Sequence, residues 1–389
     1  MLPYGKHSVD EADIDAVVDV LRNQFLTQGS VVPQFEQALC EYTSSLYCVA
    51  VNSGTSGLHI ACLAAGVTKG DRVWTVPNSF VASANCALYC GASVDFVDID
   101  AVTRNIDVEL LAKKLKNSEQ THTLPKVLVV VHFSGLSCDM QPIRALTEEY
   151  GVLLIEDAAH ALGGSYHDGH KSSKIGSCQY SDMTVLSFHP VKSITTAEGG
   201  AVLTNNADLF NKLKLFAKHG ITKEPQQMVS ESDGPWYYQQ IELGYNYRLS
   251  DLHAALGLSQ LKKLDVFIQK RRELVARYHA TLADLPLILP NSAGYQDSAW
   301  HLYMVELTEH DRKDIYQKLQ ASGIGVNVHY IPIHLQPYYQ VKGFNQGDFP
   351  AAEQFYAKAL TLPLFPDMTF EQQSQVIDAL HQVLYEENQ

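Results

Sequence analysis

The sequence predicts an α/β fold with a mostly parallel central sheet and a smaller C-terminal α/β domain. Between residues 46 and 205, short apolar runs alternate with helical segments, as in parallel sheets with helical crossovers. Several runs, such as VLLIED ending at Asp157, are apolar at successive positions, which is typical of strands covered on both faces. The 389 residues are enough for two domains.

The predicted elements follow in a regular order. Residues 1–30 form an N-terminal arm with one amphipathic helix, DEADIDAVVDVLRN. Residues 31–258 form a large domain, in which 221–246 is a polar surface loop. Its strands are YCVAVN, RVWTV, VDFVDI, KVLVVVHF, VLLIED, MTVLSF and AVLTN, and its helices are SGLHIACLAAG, FVASANCALYCG, DVELLAKKLKN and IRALTEEYG. A long helical region from Ser250 leads into a small domain of residues 259–389, with a strand at HLYMVEL, a helix at DRKDIYQKLQASG and two closing helices.

Composition and charge exclude several classes of function. The net charge is -14 and no basic run occurs, so we expect no nucleic-acid partner. No apolar run is long enough to span a bilayer and no signal sequence is evident, so we expect no membrane association. The seven cysteines are scattered without a CxxC pair, which indicates reduced thiols, no metal site and a cytoplasmic location.

Three separate stretches together predict a site for pyridoxal 5'-phosphate. Lys192 follows a short apolar strand and precedes a Glu-Gly-Gly turn, a position where a lysine amine can be desolvated and form an imine. Asp157 ends a strand, at the sheet edge where ligands bind. The turn NSGTSG opens a helix and offers N–H groups and hydroxyls to an anion. Each stretch alone is more often structural, but together they supply the lysine, the carboxylate and the phosphate cradle that this cofactor requires.

The chain resembles the sugar aminotransferases of the DegT/DnrJ/EryC1/StrS family, which are fold-type I pyridoxal-phosphate enzymes. The resemblance is carried by SGTSGL, VPNSFVASANCALYCGASVDFVDID, EDAAHALG, SFHPVKSITTAEGG and GYNYRLSDLHAALGLSQL, in this order over nearly the whole chain. It implies that Lys192 forms the imine and transfers protons, and that Asp157 rather than Glu156 pairs with the pyridinium nitrogen.

The resemblance also implies roles for other cofactor-binding residues. It places His160 against the cofactor ring or imine, with a structural buried histidine as the alternative, and Phe80 on the face of the ring, with core packing as the alternative. It assigns the phosphate to Thr55, Ser56 and Ser187. It further implies that Asn246 reaches the cofactor phosphate of a neighbouring subunit, so that a homodimer shares its active sites.

The expected substrate contacts lie at both ends of the chain. The resemblance makes Tyr4 and Lys6 of the arm candidates for contacting the sugar or the diphosphate, and it leaves Arg248 as either a substrate contact or a salt-bridge residue. It places the His/Tyr-rich segment VHYIPIHLQPYY in the substrate pocket, although packing explains part of that segment equally well. Two histidines five residues apart without cysteine or carboxylate neighbours give poor zinc geometry. The candidates in this segment are His329, Tyr330, His334 and Tyr338.

The N-terminal arm and the His/Tyr-rich segment are most similar to the branch acting in pseudaminic acid synthesis. This similarity implies transfer of an amino group from L-glutamate to C4 of UDP-2-acetamido-2,6-dideoxy-β-L-arabino-hexos-4-ulose, which gives UDP-4-amino-4,6-dideoxy-N-acetyl-β-L-altrosamine. The alternatives are amination of another nucleotide-linked 4-keto-6-deoxy sugar, such as the precursors of bacillosamine, perosamine or viosamine, a sugar 3-dehydratase of the same fold, and a non-catalytic regulatory protein. The last two are disfavoured because dehydratases carry histidine at the position of Lys192, and because both Lys192 and Asp157 are present.

Overall fold

A twisted central sheet of seven strands carries the fold in the computed structural model, which describes residues 1–166, 173–291, 294 and 296–385. The strands are β1 (Tyr47–Val51), β2 (Arg72–Thr75), β3 (Ser93–Phe96), β4 (Val127–Val131), β5 (Leu153–Asp157), β6 (Met183–Ser187) and β7 (Gly200–Thr204). Their spatial order is β1-β7-β6-β5-β4-β2-β3. Only β7 runs antiparallel to its neighbours in this sheet, so the predicted mostly parallel sheet is confirmed.

Helices pack against both faces of this sheet and against the C-terminal part of the chain. They are α1 (Glu11–Asn23), α2 (Val31–Thr43), α3 (Gly54–Ala64), α4 (Ala82–Tyr89), α5 (Val108–Gln120), α6 (Met140–Glu149), α7 (Ala207–Ala217), α8 (Asp251–Leu261), α9 (Leu264–Thr281), α10 (Arg312–Ala321), α11 (Pro337–Gln340), α12 (Pro350–Lys358) and α13 (Phe370–Tyr385). Asp10 caps α1 in a capping box with Asp13, which fixes where the arm helix begins. The long helical region expected from Ser250 is two helices, with a break at residues 262–263.

Two apolar cores lie on opposite faces of the central sheet. On β5, Leu154 belongs to one core and Ile155 to the other, as the alternation of a strand requires. The residues that follow, Glu156 and Asp157, continue this alternation and therefore point to opposite faces. The sheet thus separates two neighbouring acidic residues that the sequence places side by side.

The C-terminal part of the chain has a core of its own, formed by residues between 274 and 384. Its antiparallel sheet consists of β8 (Leu287–Ile288), β9 (Tyr303–Leu307) and β10 (Ala359–Leu362). Ile333 and Phe355, between β9 and β10 in the chain, pack instead into the cores of the central sheet. The segment that carries the predicted His/Tyr-rich cluster therefore lies against the large domain. Within the described residues, no helix is both long and apolar enough to cross a membrane.

Candidate active site

A cavity of about 460 Å³ opens at the carboxyl edge of the parallel strands. Its walls come from the start of α3, the turn before α4, the ends of β5 and β6, and residues 327–330 of the C-terminal part. Both Lys192 and Asp157 line it, as do Thr55 and Ser187. Parallel strands that end at one edge thus bring together three stretches that lie far apart in the chain.

Lys192 lies in a turn after β6, where its backbone N–H donates to the carbonyl of His189 at 2.9 Å. The side chain is partly buried in the cavity wall. Burial lowers the pKa of Lys192 to about 8, although the negative charge of Asp157 acts in the opposite direction. About a tenth of the amine is therefore unprotonated at pH 7, far more than at the ordinary pKa of 10.5, and the unprotonated amine is the form that acts as a nucleophile or general base.

Asp157 and Glu156 have different surroundings, as their opposite directions on β5 require. Asp157 is 5% exposed, lines the cavity and accepts a hydrogen bond of 2.6 Å from Ser83 Oγ. Glu156 is fully buried on the other face, where it pairs with His132 Nε2 at 2.6 Å and accepts a hydrogen bond from Tyr166. Burial opposes ionisation of Glu156, but the hydrogen bond and charge of His132 outweigh it and lower the pKa of Glu156. The carboxylate that can reach a ligand is that of Asp157.

The start of α3 forms an anion cradle. Ser53 caps the helix by accepting the N–H of Ser56 at 3.1 Å, and Ser53, Gly54 and Thr55 line the cavity together with Ser187. A Cβ on Gly54 would lie 3.0 Å from the Cβ of Ser187, so glycine allows the helix start to approach β6 closely. Hydroxyls and free N–H groups at a helix N-terminus favour a phosphate.

The predicted phosphate residues do not all lie in this cradle. Ser56 is outside the described lining of the cavity, and its hydroxyl donates to Asn52 Oδ1 at 2.6 Å. Ser53 takes the corresponding place in the wall. The N-cap position of Ser53, three residues before Ser56, is the sequence signal that identifies it.

Aromatic rings form another part of the cavity wall. Phe80 lines the cavity with 57% of its surface exposed, so core packing does not account for it. His160 is 6% exposed, and its Nε2 lies 3.1 Å from the hydroxyl of Tyr330. The ring of Phe80 lies 6.2 Å from that of Tyr330. Phe80 and Tyr330, which are 250 residues apart in the sequence, thus line the same cavity.

The candidate substrate residues separate into two groups. Tyr4, His329 and Tyr330 line the cavity. The other candidates do not belong to its described lining. Lys6 is exposed and lines a small cleft that also touches Lys192, and Arg248 is partly buried. His334 is fully buried and pairs with Glu353 at 2.8 Å, whereas Tyr338 is 61% exposed. Asn246, the residue predicted to reach the cofactor phosphate of a neighbouring subunit, is exposed and also lies outside the described lining.

Sequence reasoning missed His301, which is 4% exposed and lines the cavity beside His160. Its position just before β9 gives no local signal for a role in the site. His334, in contrast, was expected in the substrate pocket and lies elsewhere, because the chain turns away after Tyr330 into a short 3-10 helix, Ile333–Leu335.

The residues present fit pyridoxal phosphate. The cradle suits the phosphate, Asp157 suits a protonated ring nitrogen, Phe80 offers an exposed ring for stacking, and Lys192 has a lowered pKa. The Nδ1 atom of His160 is buried and has no hydrogen-bond partner among the described residues, so a polar group is still needed beside it. Within the described part of the chain, no cluster of histidine, cysteine, aspartate or glutamate has the arrangement of a metal site.

Comparisons with known proteins agree with this geometry. The DegT/DnrJ/EryC1/StrS aminotransferase family matches residues 7–381. A Campylobacter jejuni protein named UDP-4-amino-4,6-dideoxy-N-acetyl-beta-L-altrosamine transaminase is 38% identical over 388 residues, which are 99% of this chain and 98% of that protein. The structure is similar to that of Helicobacter pylori PseC, described as an aminotransferase involved in the biosynthesis of pseudoaminic acid, with a TM-score of 0.88, 32% identity and 99% of both chains covered.

A third relative bears on the cofactor. The crystal structure of NtdA from Bacillus subtilis contains bound pyridoxamine phosphate and has a TM-score of 0.82, with 30% identity over 97% of this chain and 83% of that one. The family match spans nearly the whole chain, and the cavity holds the residue types that this cofactor requires. The chain therefore belongs to the DegT/DnrJ/EryC1/StrS family and is a pyridoxal-phosphate-dependent sugar aminotransferase.

Proposed function

We propose that this enzyme transfers an amino group from L-glutamate to C4 of UDP-2-acetamido-2,6-dideoxy-β-L-arabino-hexos-4-ulose and releases UDP-4-amino-4,6-dideoxy-N-acetyl-β-L-altrosamine. The observation that carries the proposal is the similarity to the Campylobacter jejuni transaminase, which extends over 99% of the chain. The similarity to PseC over the full length of both chains supports it as well. Glutamate is proposed because it is the usual donor in this family.

The proposed roles follow from what each side chain can do in the cavity. Bound pyridoxal phosphate supplies an electron sink and carries the amino group between the two half-reactions. Asp157 holds the proton at the ring nitrogen of the cofactor, and the hydrogen bond from Ser83 keeps its carboxylate in place. Lys192, whose pKa is lowered to about 8, would be the acid and base that moves a proton between the reacting carbon of the substrate and the reacting carbon of the cofactor, once for the amino donor and once, in the reverse direction, for the sugar.

The remaining residues bind and orient. Ser53, Thr55 and Ser187 hold the cofactor phosphate at the start of α3. Phe80 covers one face of the ring, and Tyr4, His329 and Tyr330 are the proposed contacts of the sugar. Within one subunit, the proposed contacts of the sugar are therefore all residues of the cavity wall.

The proposed active unit is a homodimer. Asn246 is exposed and lies outside the described lining of the cavity in its own subunit, so a contact with a cofactor requires the cavity of a second subunit. Shared sites of this kind need the two-fold arrangement in which each subunit contributes the same residue to its partner.

The test is an absorbance spectrum of the purified enzyme, recorded before and after addition of glutamate and then of the UDP-linked 4-keto-6-deoxy L-sugar. We expect the visible cofactor band to disappear with glutamate and to return with that sugar. The UDP-linked 4-keto-6-deoxy D-sugar is the matched control and should restore the band much more slowly.

Each component of the proposal can fail separately. If only the D-sugar or another nucleotide sugar restores the band, the proposed substrate is wrong. If glutamate leaves the band unchanged while another amino acid removes it, the donor is wrong. The Lys192→Ala variant should show neither the band nor turnover.

A further inference from the structure

Two histidine rings from distant parts of the chain lie together in the cavity wall. The ring of His301 lies 4.5 Å from the ring of His160, at an angle of 41° between their planes. His301 is 4% exposed and His160 is 6% exposed. His160 follows β5 of the large domain, whereas His301 lies just before β9 of the C-terminal sheet. The pair therefore joins the two parts of the structure at the site.

The backbone of His301 is fixed on its large-domain side by the turn after β4. Its N–H donates to the carbonyl of Ser134 at 2.8 Å, and the N–H of Ala299 donates to the carbonyl of Gly135 at 3.0 Å. A Cβ on Gly135 would lie 2.8 Å from the backbone nitrogen of Trp300, so only glycine allows this crossing. This close approach of the two backbones fixes the position of the segment that carries His301.

Arg271 of α9 fixes the same segment from the C-terminal part. Its side chain is 1% exposed and donates hydrogen bonds to the carbonyls of His301, Trp300 and Leu364 at 3.2, 3.3 and 2.9 Å. A buried guanidinium bound to three carbonyls is a rigid anchor. The imidazole of His301 is thus presented to His160 by a backbone that is held from both sides.

Both imidazoles are suited to act as neutral groups. Burial lowers the pKa of His160 and of His301 well below the ordinary value, and the charge of Lys192 acts in the same direction. The two Nδ1 atoms are buried and without hydrogen-bond partners among the described residues, whereas His160 Nε2 has Tyr330 as a partner. Neither ring is held by a hydrogen bond at Nδ1, so the plane of the His160 ring depends on the contact of its Nε2 with Tyr330 and on packing against His301, whose ring centre lies 4.5 Å away.

We propose that His301 is a positioning residue for the cofactor site, which acts by packing against His160 and fixing the orientation of that ring where it faces the cofactor. A second consequence is that the ring of His301 fills part of the cavity wall and limits the access of water to Lys192. The proposal rests on the predicted contact between His160 and the cofactor, and it does not depend on which keto sugar is aminated.

The substitutions His301→Ala and His301→Phe separate packing from other roles of the ring. Alanine removes the ring and leaves space beside His160, whereas phenylalanine keeps an aromatic ring of similar size without its nitrogens. His279→Ala is the matched control, because His279 is a partly buried histidine of α9 whose ring lies 6.0 Å from that of Trp300 and which is not part of the cavity wall.

Two measurements on the cofactor-free protein, without either substrate, test the proposal. The first is the dissociation constant for pyridoxal phosphate, from a fluorescence titration. The second is the pH midpoint for acetylation of Lys192 by acetic anhydride, quantified by mass spectrometry of the peptide. For His301→Ala we expect about tenfold weaker cofactor binding, the size of one aromatic contact. We also expect the midpoint to rise from about 8 toward the ordinary 10.5.

The phenylalanine variant should stay within about threefold of the unsubstituted protein in cofactor binding, because the ring packing is kept. A His301→Ala protein with unchanged thermal unfolding, cofactor affinity and Lys192 midpoint would overturn the proposal. It would also be overturned if the His301→Phe protein bound pyridoxal phosphate as weakly as the His301→Ala protein. The same holds if His279→Ala weakened cofactor binding and raised the Lys192 midpoint as much as His301→Ala. Since no sugar is added, these outcomes are independent of the proposed substrate.

Discussion

Replacing Lys192 with methionine is expected to stabilise the cofactor-free protein, because desolvation of the charged ammonium group opposes folding. Burial lowers the pKa of Lys192 from 10.5 to about 8, against the attraction of Asp157. One pKa unit corresponds to about 1.4 kcal/mol, so the charged amine costs the folded state ~3 kcal/mol at pH 7. Methionine has a similar length and carries no charge, so Lys192→Met should raise the free energy of unfolding by about this amount.

The stabilisation by Lys192→Met depends on pH, and the lowered pKa of Lys192 determines whether it grows or shrinks as the pH rises. Between pH 8 and 10.5 the unfolded chain still binds the lysine proton that the folded chain has lost, so this lysine makes stability rise with pH in that window. The difference between Lys192→Met and the unsubstituted protein is therefore largest below pH 8. It should fall to ~1 kcal/mol at pH 9.5.

The assay is urea denaturation of the cofactor-free proteins at pH 7 and pH 9.5, at one protein concentration. Lys212→Met is the control, since Lys212 is exposed on α7 and its replacement should change the free energy of unfolding by less than about 0.5 kcal/mol. The reasoning is refuted if Lys192→Met is less stable than the unsubstituted protein at pH 7. A gain of equal size at both pH values would refute it too, because the gain would then have no connection with the amine.

Three further predictions concern the carboxylates of β5 and the subunit arrangement. Asp157→Asn should lower turnover ~100-fold or more while cofactor absorbance is retained, and full activity would exclude its proposed role. Glu156→Gln should instead destabilise the protein by ~3 kcal/mol in urea, because it leaves the buried His132 without its charged partner; unchanged stability would contradict this. Lys192→Ala and Asn246→Ala subunits, each impaired alone, should regain about a quarter of normal activity when co-refolded in equal amounts, since half of the dimers are then mixed and carry one intact site. No gain on mixing would show that Asn246 does not act across subunits.

The parts of the site that the sequence predicts well are those encoded by contiguous motifs at strand ends. Asp157 is the last residue of β5 and Lys192 lies in the turn after β6, and the parallel arrangement of these strands places their carboxyl ends side by side. The family resemblance is the only sequence-based reason to choose Asp157 over Glu156, although strand alternation gives the physical reason for the choice. The structure shows which face carries the cavity, and that information is absent from the local sequence.

Other features could not be predicted, because contacts between distant segments create them. Helix α2 contains Pro33 in its first turn, where proline is tolerated, and no helix was predicted there. His334 lies only four residues after Tyr330, yet a turn takes it out of the cavity to Glu353, 19 residues further along the chain. The position of His301 depends on a hydrogen bond to Ser134, more than 160 residues earlier. Neither residue type nor spacing carries a signal for such contacts.

The two faces of β5 support the same site in different ways. Glu156 accepts a hydrogen bond of 2.6 Å from Nε2 of His132. His132 Nδ1 also lies 3.1 Å from the backbone nitrogen of Cys138, which ties together the two ends of the turn that contains Ser134. That turn binds the backbone of His301. The carboxylate on the far face thus holds the turn that presents His301, while Asp157 on the near face reaches the ligand itself, so both neighbouring acidic residues contribute to one cavity.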